Sequence, residues 1–326
     1  MLQLRGGLKL EEVIRINGIT KEYDGNVVVD DLSFSLQKGH ILAFLGPNGA
    51  GKSTTINMIS SLIGQDNGSI LYKGEDIKKC MKRFKKEIGV VPQSLAIYED
   101  LTAMQNLRFF AGLYGAKGSE LNRICDDALE FVGLSSVKDK KAGTFSGGMK
   151  RRLNIACSLV NSPQVIILDE PTVGIDPQSR NFILESIKSL RDKGTSVIYT
   201  THYMDEVESI ADDVIIIDHG KVLINDTLEN IRREYTEKAV AVFKSENIPD
   251  KLTEKIGNLS GVTVLEVTDD SVTIEYDHKL NENCINQVMT AFTETGSCVA
   301  SVNTLKLDLE DIFLKLTGTK LRDQGG

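Results

Sequence analysis

Three segments of this chain carry residue types whose spacing could do chemistry on phosphate. Gly46 to Thr54 reads GPNGAGKST and fits G-x-x-x-x-G-K-[ST]. Glycines in such a loop let backbone N–H groups converge on oxygens, and a helix opening after it adds partial positive charge. Lys52 would reach the outer phosphates, and the Ser53 hydroxyl would sit on Mg²⁺. At ordinary residue frequencies a chance match over this length arises about 1% of the time. The second segment, VIILDE, is an apolar run ending in Asp169 and Glu170. Strand ends are often charged, so the pair alone says little. Beside a phosphate loop on one sheet, adjacent carboxylates can divide roles: Asp169 holds magnesium through water, while Glu170 orients or deprotonates the attacking water. Third is FSGGMKRRL, Phe145 to Leu153, in which Ser146 precedes Gly147, Gly148 and a basic amphipathic stretch. That is a helix start with free backbone donors. It would be ordinary in isolation and gains force from its place just upstream of VIILDE.

The elements that must position these residues are legible in the pattern. HILAFLG is a short apolar strand running into the Gly-rich turn, followed by a helix from Gly51 to about Leu62. VIRINGI and VVVDDLSFSL read as half-buried antiparallel strands, and GSILYKG and IGVVP as further strands. Between about Thr102 and Val132 the strand signal vanishes, and TAMQNLRFFAGLYG and SELNRICDDALEFV show helical spacing. Strands return at VIILDE, SVIYTTH and DVIIID, separated by helices such as Pro177–Lys193, with Pro177 at a first helical position and Gly194 as a stop. The spacing predicts an α/β domain over residues 13–235, its parallel sheet interrupted by one helical insertion. After Tyr235 the texture changes. Residues 236–326 read β, α, β, β, α, β, the split βαβ order of ferredoxin-like domains, with LDLEDIFLKLTG as a terminal amphipathic helix.

Composition narrows the function classes. The chain has 326 residues, enough for two domains, and a formal net charge of −8, which disfavours nucleic acid as the main partner. Hydrophobic residues make up 41% and charged ones 26%, ordinary globular values that argue against disorder. No apolar run approaches the roughly 18 residues of a membrane span. The start, MLQLRGGLKLEE, places charges where a signal peptide would be apolar. The cysteines, Cys80, Cys125, Cys157, Cys284 and Cys298, lack CxxC spacing and read as reduced packing thiols of a cytoplasmic protein, with no zinc site. The basic run KKCMKRFKKE reads as a solvated face, and His40, His219 and His278 show no ligand spacing.

In this order within one domain, GPNGAGKST, FSGGMKRRL and VIILDEPT resemble the nucleotide-binding subunit of an ATP-binding cassette transporter, over roughly residues 13–235. The resemblance implies a P-loop NTPase cassette: a parallel core sheet, an antiparallel β subdomain and a helical insertion. It implies that Gly46, Pro47, Asn48, Gly49, Ala50, Gly51, Lys52, Ser53 and Thr54 bind ATP, and that Tyr23 in TKEYDG stacks on adenine. Gln93 in VVPQ resembles the glutamine that joins the magnesium site, with Ser53 and Asp169, to the membrane subunit. Asp176 in GIDP resembles the aspartate of the loop facing the partner subunit, and His202 in TTHYMDEVE the histidine that clasps the γ-phosphate beside the catalytic Glu170. Ser146, Gly147 and Gly148 of a second subunit would complete each site, so the expected assembly is a head-to-tail homodimer under a membrane-spanning permease. That puts the chain on the inner face of the cell membrane, without nucleic acid. The commonest family signature is LSGGQ, and here Phe145 and Met149 replace its Leu and Gln. A thioether cannot donate the amide's hydrogen bonds. SGGMKRRL and the tail LEDIFLKLTG, Leu309–Gly318, are similar to the branch that exports drugs, lipids and polysaccharides. An importer ATPase with a ligand-sensing C-terminal domain stays open, as does a soluble cassette ATPase acting on DNA or ribosomes.

Overall fold

A computed structural model describes residues 11–235, 238–277, 283–305, 309, 312 and 313. The leader reading of the first residues lies outside this set, as does most of the Leu309–Gly318 tail. The chain divides into two compact units between Leu228 and Glu229.

The first unit opens with a hairpin, β1 (Glu12–Tyr23) and β2 (Asn26–Gln37). The apolar run at 41–45 becomes β3 (Ile41–Leu45), and the Gly-rich turn leads into α1 (Lys52–Ile59), which ends before the predicted Leu62. Next come β4 (Asn67–Tyr72), the two-residue β5 (Glu75–Asp76), α2 (Ile77–Glu87) and β6 (Ile88–Val91). The basic run is α2 itself. Ile77, Cys80 and Phe84 bury one side of it while its lysines stay exposed. The helical insertion follows as α3 (Ala103–Leu113) and α4 (Gly118–Phe131). A reciprocal cap starts α3: Gln105 N–H donates to Thr102 Oγ1, and Thr102 N–H donates to Gln105 Oε1. The remaining elements are α5 (Gly147–Leu159), β7 (Val165–Asp169), α6 (Pro177–Asp192), β8 (Ser196–Thr201), α7 (Met204–Ile210), β9 (Asp213–Asp218) and β10 (Lys221–Thr227).

These strands form two sheets. One is antiparallel, in the order β2-β1-β4-β5. The other is β10-β9-β3-β8-β7-β6, parallel except for β10 at its edge. Every residue of β3, β7 and β8 is buried, as expected of strands covered on both faces. One core cluster joins the antiparallel sheet and α1 to β3; another packs the insertion against α5 and α6.

The division falls at the first residue of α8 (Leu228–Tyr235), and the second unit continues as β11 (Lys238–Ser245), α9 (Asp250–Gly257), β12 (Val262–Val267), β13 (Ser271–Asp277), α10 (Cys284–Glu294) and β14 (Val299–Leu305). Its sheet is antiparallel, in the order β12-β13-β11-β14. Strict alternation buries Val272, Ile274 and Tyr276 of β13 with Ala239, Ala241 and Phe243 of β11, under Leu252, Val288 and Phe292 of the two helices. The β, α, β, β, α, β succession from β11 to β14 is the one read from the sequence.

Candidate active site

Four neighbouring strands deliver the predicted phosphate-loop residues, both carboxylates, Gln93 and His202 to the same end of the parallel sheet. Across β3, β8, β7 and β6, the C-terminal ends carry the Gly46–Thr54 loop, Thr200 to His202, Asp169 with Glu170, and Gln93. An open α/β sheet gathers its ligand groups there because the strands point the loops that follow them into one crevice. The crevice is a cleft of about 430 Å³ that brings together Asn48, Gly49, Gly51, Lys52, Ser53, Thr54, Gln93, Glu170 and His202, with Val28 and Val173 as apolar lining.

The loop geometry follows from its glycines. Gly51 caps α1 at φ +100°, a left-handed backbone that glycine adopts freely, and a Cβ there would meet Val28 O at 2.8 Å. Lys52 comes next, only 5% exposed, and its Nζ donates to the carbonyls of Gly46 (2.8 Å) and Pro47 (3.1 Å). The same Nζ stands 3.2 Å from Glu170 Oε1.

Glu170 is turned toward the loop by a left-handed backbone, φ +44°, which a non-glycine residue adopts only when its surroundings hold it. Thr200 supplies part of that hold. Its buried hydroxyl accepts from Glu170 N–H at 2.9 Å and donates to Asp169 Oδ1 at 2.7 Å, so one side chain orients both carboxylates. Gln93 Nε2 donates to Glu170 Oε2 at 2.8 Å. His202 Nδ1 lies 3.6 Å from Glu170 Oε1, an electrostatic neighbour beyond hydrogen-bond range. The His202 ring, and then the Lys52 ammonium, hold the Glu170 carboxyl below the usual carboxylate range against its burial. Glu170 is thus kept as an anion.

A second cluster forms elsewhere on the same unit. Ser146 caps α5, its Oγ accepting from Met149 N–H at 3.3 Å, and Asp176 caps α6, its Oδ1 accepting from Ser179 N–H at 2.9 Å. The Ser179 backbone donor holds the Asp176 carboxyl below its ordinary range. The two helix starts touch at Gly148, where a Cβ would come 2.1 Å from Ser179 Oγ. Neither Ser146–Gly148 nor Asp176 lines the cleft, and neither does Tyr23, which ends β1 and is 45% exposed.

Comparison with known proteins identifies the family. Residues 29–173 match the family model described as ABC transporter. The linearmycin resistance ATP-binding protein LnrL of Bacillus subtilis is 40% identical over 95% of this chain and 100% of its own length. The chain belongs to the ABC transporter ATP-binding family. The Nod factor export ATP-binding protein I of Sinorhizobium fredii is 33% identical over 97% of the chain and 89% of its own length. The daunorubicin/doxorubicin resistance ATP-binding protein DrrA of Streptomyces peucetius is 32% identical, covering 95% and 94%. Among solved structures, an ATP-binding subunit of an ABC transporter matches with a TM-score of 0.62 and 29% identity over 69% of the chain and 93% of its own. CbiO1 from Clostridium perfringens, part of the transporter complex CbiONQ, matches at 0.63 and 27%, covering 69% and 95%. Members of the family bind and hydrolyse ATP, and this chain is an ABC ATPase.

Two residues of this ABC ATPase escape the sequence reading. Thr200 is one, since its value comes from the pairing of β8 with β7. Arg151 is the other. It is buried in α5 and donates to the carbonyls of Pro92 (3.0 Å) and Gln93 (2.7 Å), tying the Ser146 helix to the Gln93 loop. Burial pushes its pKa down and Asp169 opposes this. Its spacing of three from Gly148 and four to Ile155 is the available signal, because it places a cation on the inward face.

Proposed function

We propose that this chain powers export across a membrane by hydrolysing MgATP between two of its own copies, beneath a separate membrane-spanning permease. The observation that carries the reading is the split of the site. Lys52, Gln93, Glu170 and His202 converge on one cleft, while Ser146, Gly147, Gly148 and Asp176 stand together outside it. Half of a sandwiched site on each copy accounts for both clusters.

In this reading the loop N–H groups and Lys52 bind the β- and γ-phosphates, and Tyr23 stacks on adenine. The donor set suits magnesium, a hard cation that takes oxygen ligands and keeps several waters. Ser53 and Gln93 line the cleft and carry a hydroxyl and a side-chain amide oxygen, and Asp169 is buried with its Oδ1 accepting from Thr200. Among the described residues no cluster of three or more His, Cys, Asp or Glu forms a complete protein cage, and a nucleotide-borne magnesium needs none. Magnesium would neutralise charge on the phosphate oxygens. Glu170, held ionised, orients the attacking water and takes its proton, and His202 faces the γ-phosphate.

The permease belongs to this reading for two reasons. No helix among the described residues is long and apolar enough to cross a membrane. Leu95, Tyr98, Phe109, Leu113 and Tyr114 are exposed apolar residues on the segment after Gln93 and on α3 and its end. That segment is fixed to the insertion and to α5, because Tyr98 N–H donates to the buried Asn106 of α3 at 2.8 Å and Ala96 N–H to Asn154 of α5 at 3.2 Å. A partner seated on these side chains would act on Gln93 and, through it, Glu170. One relative is named for Nod factor export and two for resistance to linearmycin and to daunorubicin/doxorubicin, which favours export. Affinity capture from detergent-solubilised membranes of the producing organism should recover a polytopic protein. Recovery of ribosomes or DNA-associated proteins in its place would overturn the transport reading.

A further inference from the structure

The His202 ring faces Glu170 without a hydrogen bond of its own at Nδ1. That atom is buried, and Glu170 Oε1 at 3.6 Å is too distant to accept from it. Something else must set the ring's position. Tyr203 lies against it, with ring centroids 4.1 Å apart, and the Arg180 guanidinium lies 4.9 Å from the Tyr203 ring. The backbone that carries His202 is pinned as well. Thr201 Oγ1 accepts from Tyr203 N–H at 3.0 Å and donates to Glu206 Oε2 at 2.7 Å.

Glu206 is the hub of this arrangement. Its carboxylate is fully buried and receives Tyr199 Oη (2.8 Å), Thr201 Oγ1 (2.7 Å) and Arg180 Nε (2.6 Å). Arg180 also grips both oxygens of Asp205, at 2.8 and 2.7 Å. Arg180 sits in the second turn of α6, the helix capped by Asp176 and packed at Ser179 against Gly148. A displacement of that helix start would therefore pass through one guanidinium to the residues on both sides of His202.

We infer that Arg180 is a positioning residue for hydrolysis: through Glu206, Asp205 and the face of Tyr203 it holds His202 at the γ-phosphate and couples it to the start of α6. This rests on the proposed role of His202. Arginine is suited to the task, since its planar fork can hold two carboxylates and stack on a ring at once, whereas lysine offers a single ammonium.

Removing Arg180 alone would leave Glu206 buried and uncompensated, and the fold could fail for that reason. The test uses the full chain with Arg180→Lys, which keeps the charge, and with Arg180→Gln combined with Glu206→Gln, which removes both charges. Both should bind MgATP with the parent's affinity in calorimetry, keep KM, and lose kcat by about tenfold to a hundredfold, the range expected from misplacing a group by around an ångström. In a His202→Ala background the same substitutions should cost little more, because they act through the same ring. Parent-level kcat in both variants, or losses that multiply fully with that of His202→Ala, would overturn the inference while leaving the role of His202 intact. Parent-level kcat in His202→Ala itself would remove that role, and this inference with it.

Discussion

Lys52 and Glu170 hold each other at 3.2 Å across the cleft, both nearly fully buried, so each charge depends on the other. Lys52→Ala should lower MgATP affinity at least tenfold in calorimetry, since it removes the loop's only side-chain cation. It also takes a cation from Glu170, and here the pH dependence has a definite sign. A carboxylate held below its ordinary value stabilises the fold above its unfolded pKa, about 4.3, and loses that contribution as pH falls through the lowered folded value. The gap in melting temperature between parent and Lys52→Ala should therefore be full at neutral pH and close on acidification. A gap independent of pH, together with unchanged nucleotide affinity, would mean that the pair does not work as described. The carboxylate itself was legible as a charge at the end of an apolar run. Its left-handed backbone and its Gln93 partner were not, because both depend on which strands lie side by side.

At the scale of elements, the contact between α5 and α6 is the tightest constraint near the second cluster. The Gly148 position leaves no room for a methyl group, with Ser179 Cβ as well as Oγ in the way, and Cβ cannot swing aside without backbone movement. Gly148→Ala should destabilise the chain by about 1–3 kcal/mol in denaturant unfolding, the usual cost of overpacking, and Ser179→Gly added to it should restore part of the loss. Unchanged stability in the single variant would show that the helix starts part readily. Elements with one continuous signal were readable from the sequence: the apolar runs of β3, β7, β8 and β9, and the helical spacing of α3 and α4. Edge strand β10 was not, since only Ile224 in KVLINDT is buried and no alternation announces it. In α2 the lysines drew attention to solvent, while Ile77, Cys80 and Phe84 sat at helical spacing beneath them. The shortfall of α1 at Ile59 has a local cause: Leu62 and Ile63 N–H both turn back to Asn57 O, and Ser61 takes a left-handed backbone, ending the helix in a turn.

For the whole molecule, the central claim is that one chain carries two half-sites that meet only across a pair of copies. Its most direct test is the mass in solution of Glu170→Gln, measured by light scattering with MgATP and with MgADP. The substitution keeps the shape of the side chain and its contact with Gln93 but removes the charge that polarises water, so hydrolysis should fall roughly a hundredfold or more. Lys52, Ser53 and Asp169 are untouched, and ATP should still bind. The account predicts a dimer with MgATP, a monomer with MgADP, and loss of the MgATP dimer when Ser146→Arg is added in front of the glycines. A monomer under both nucleotides with ATP demonstrably bound, or hydrolysis at the parent's rate, would contradict it.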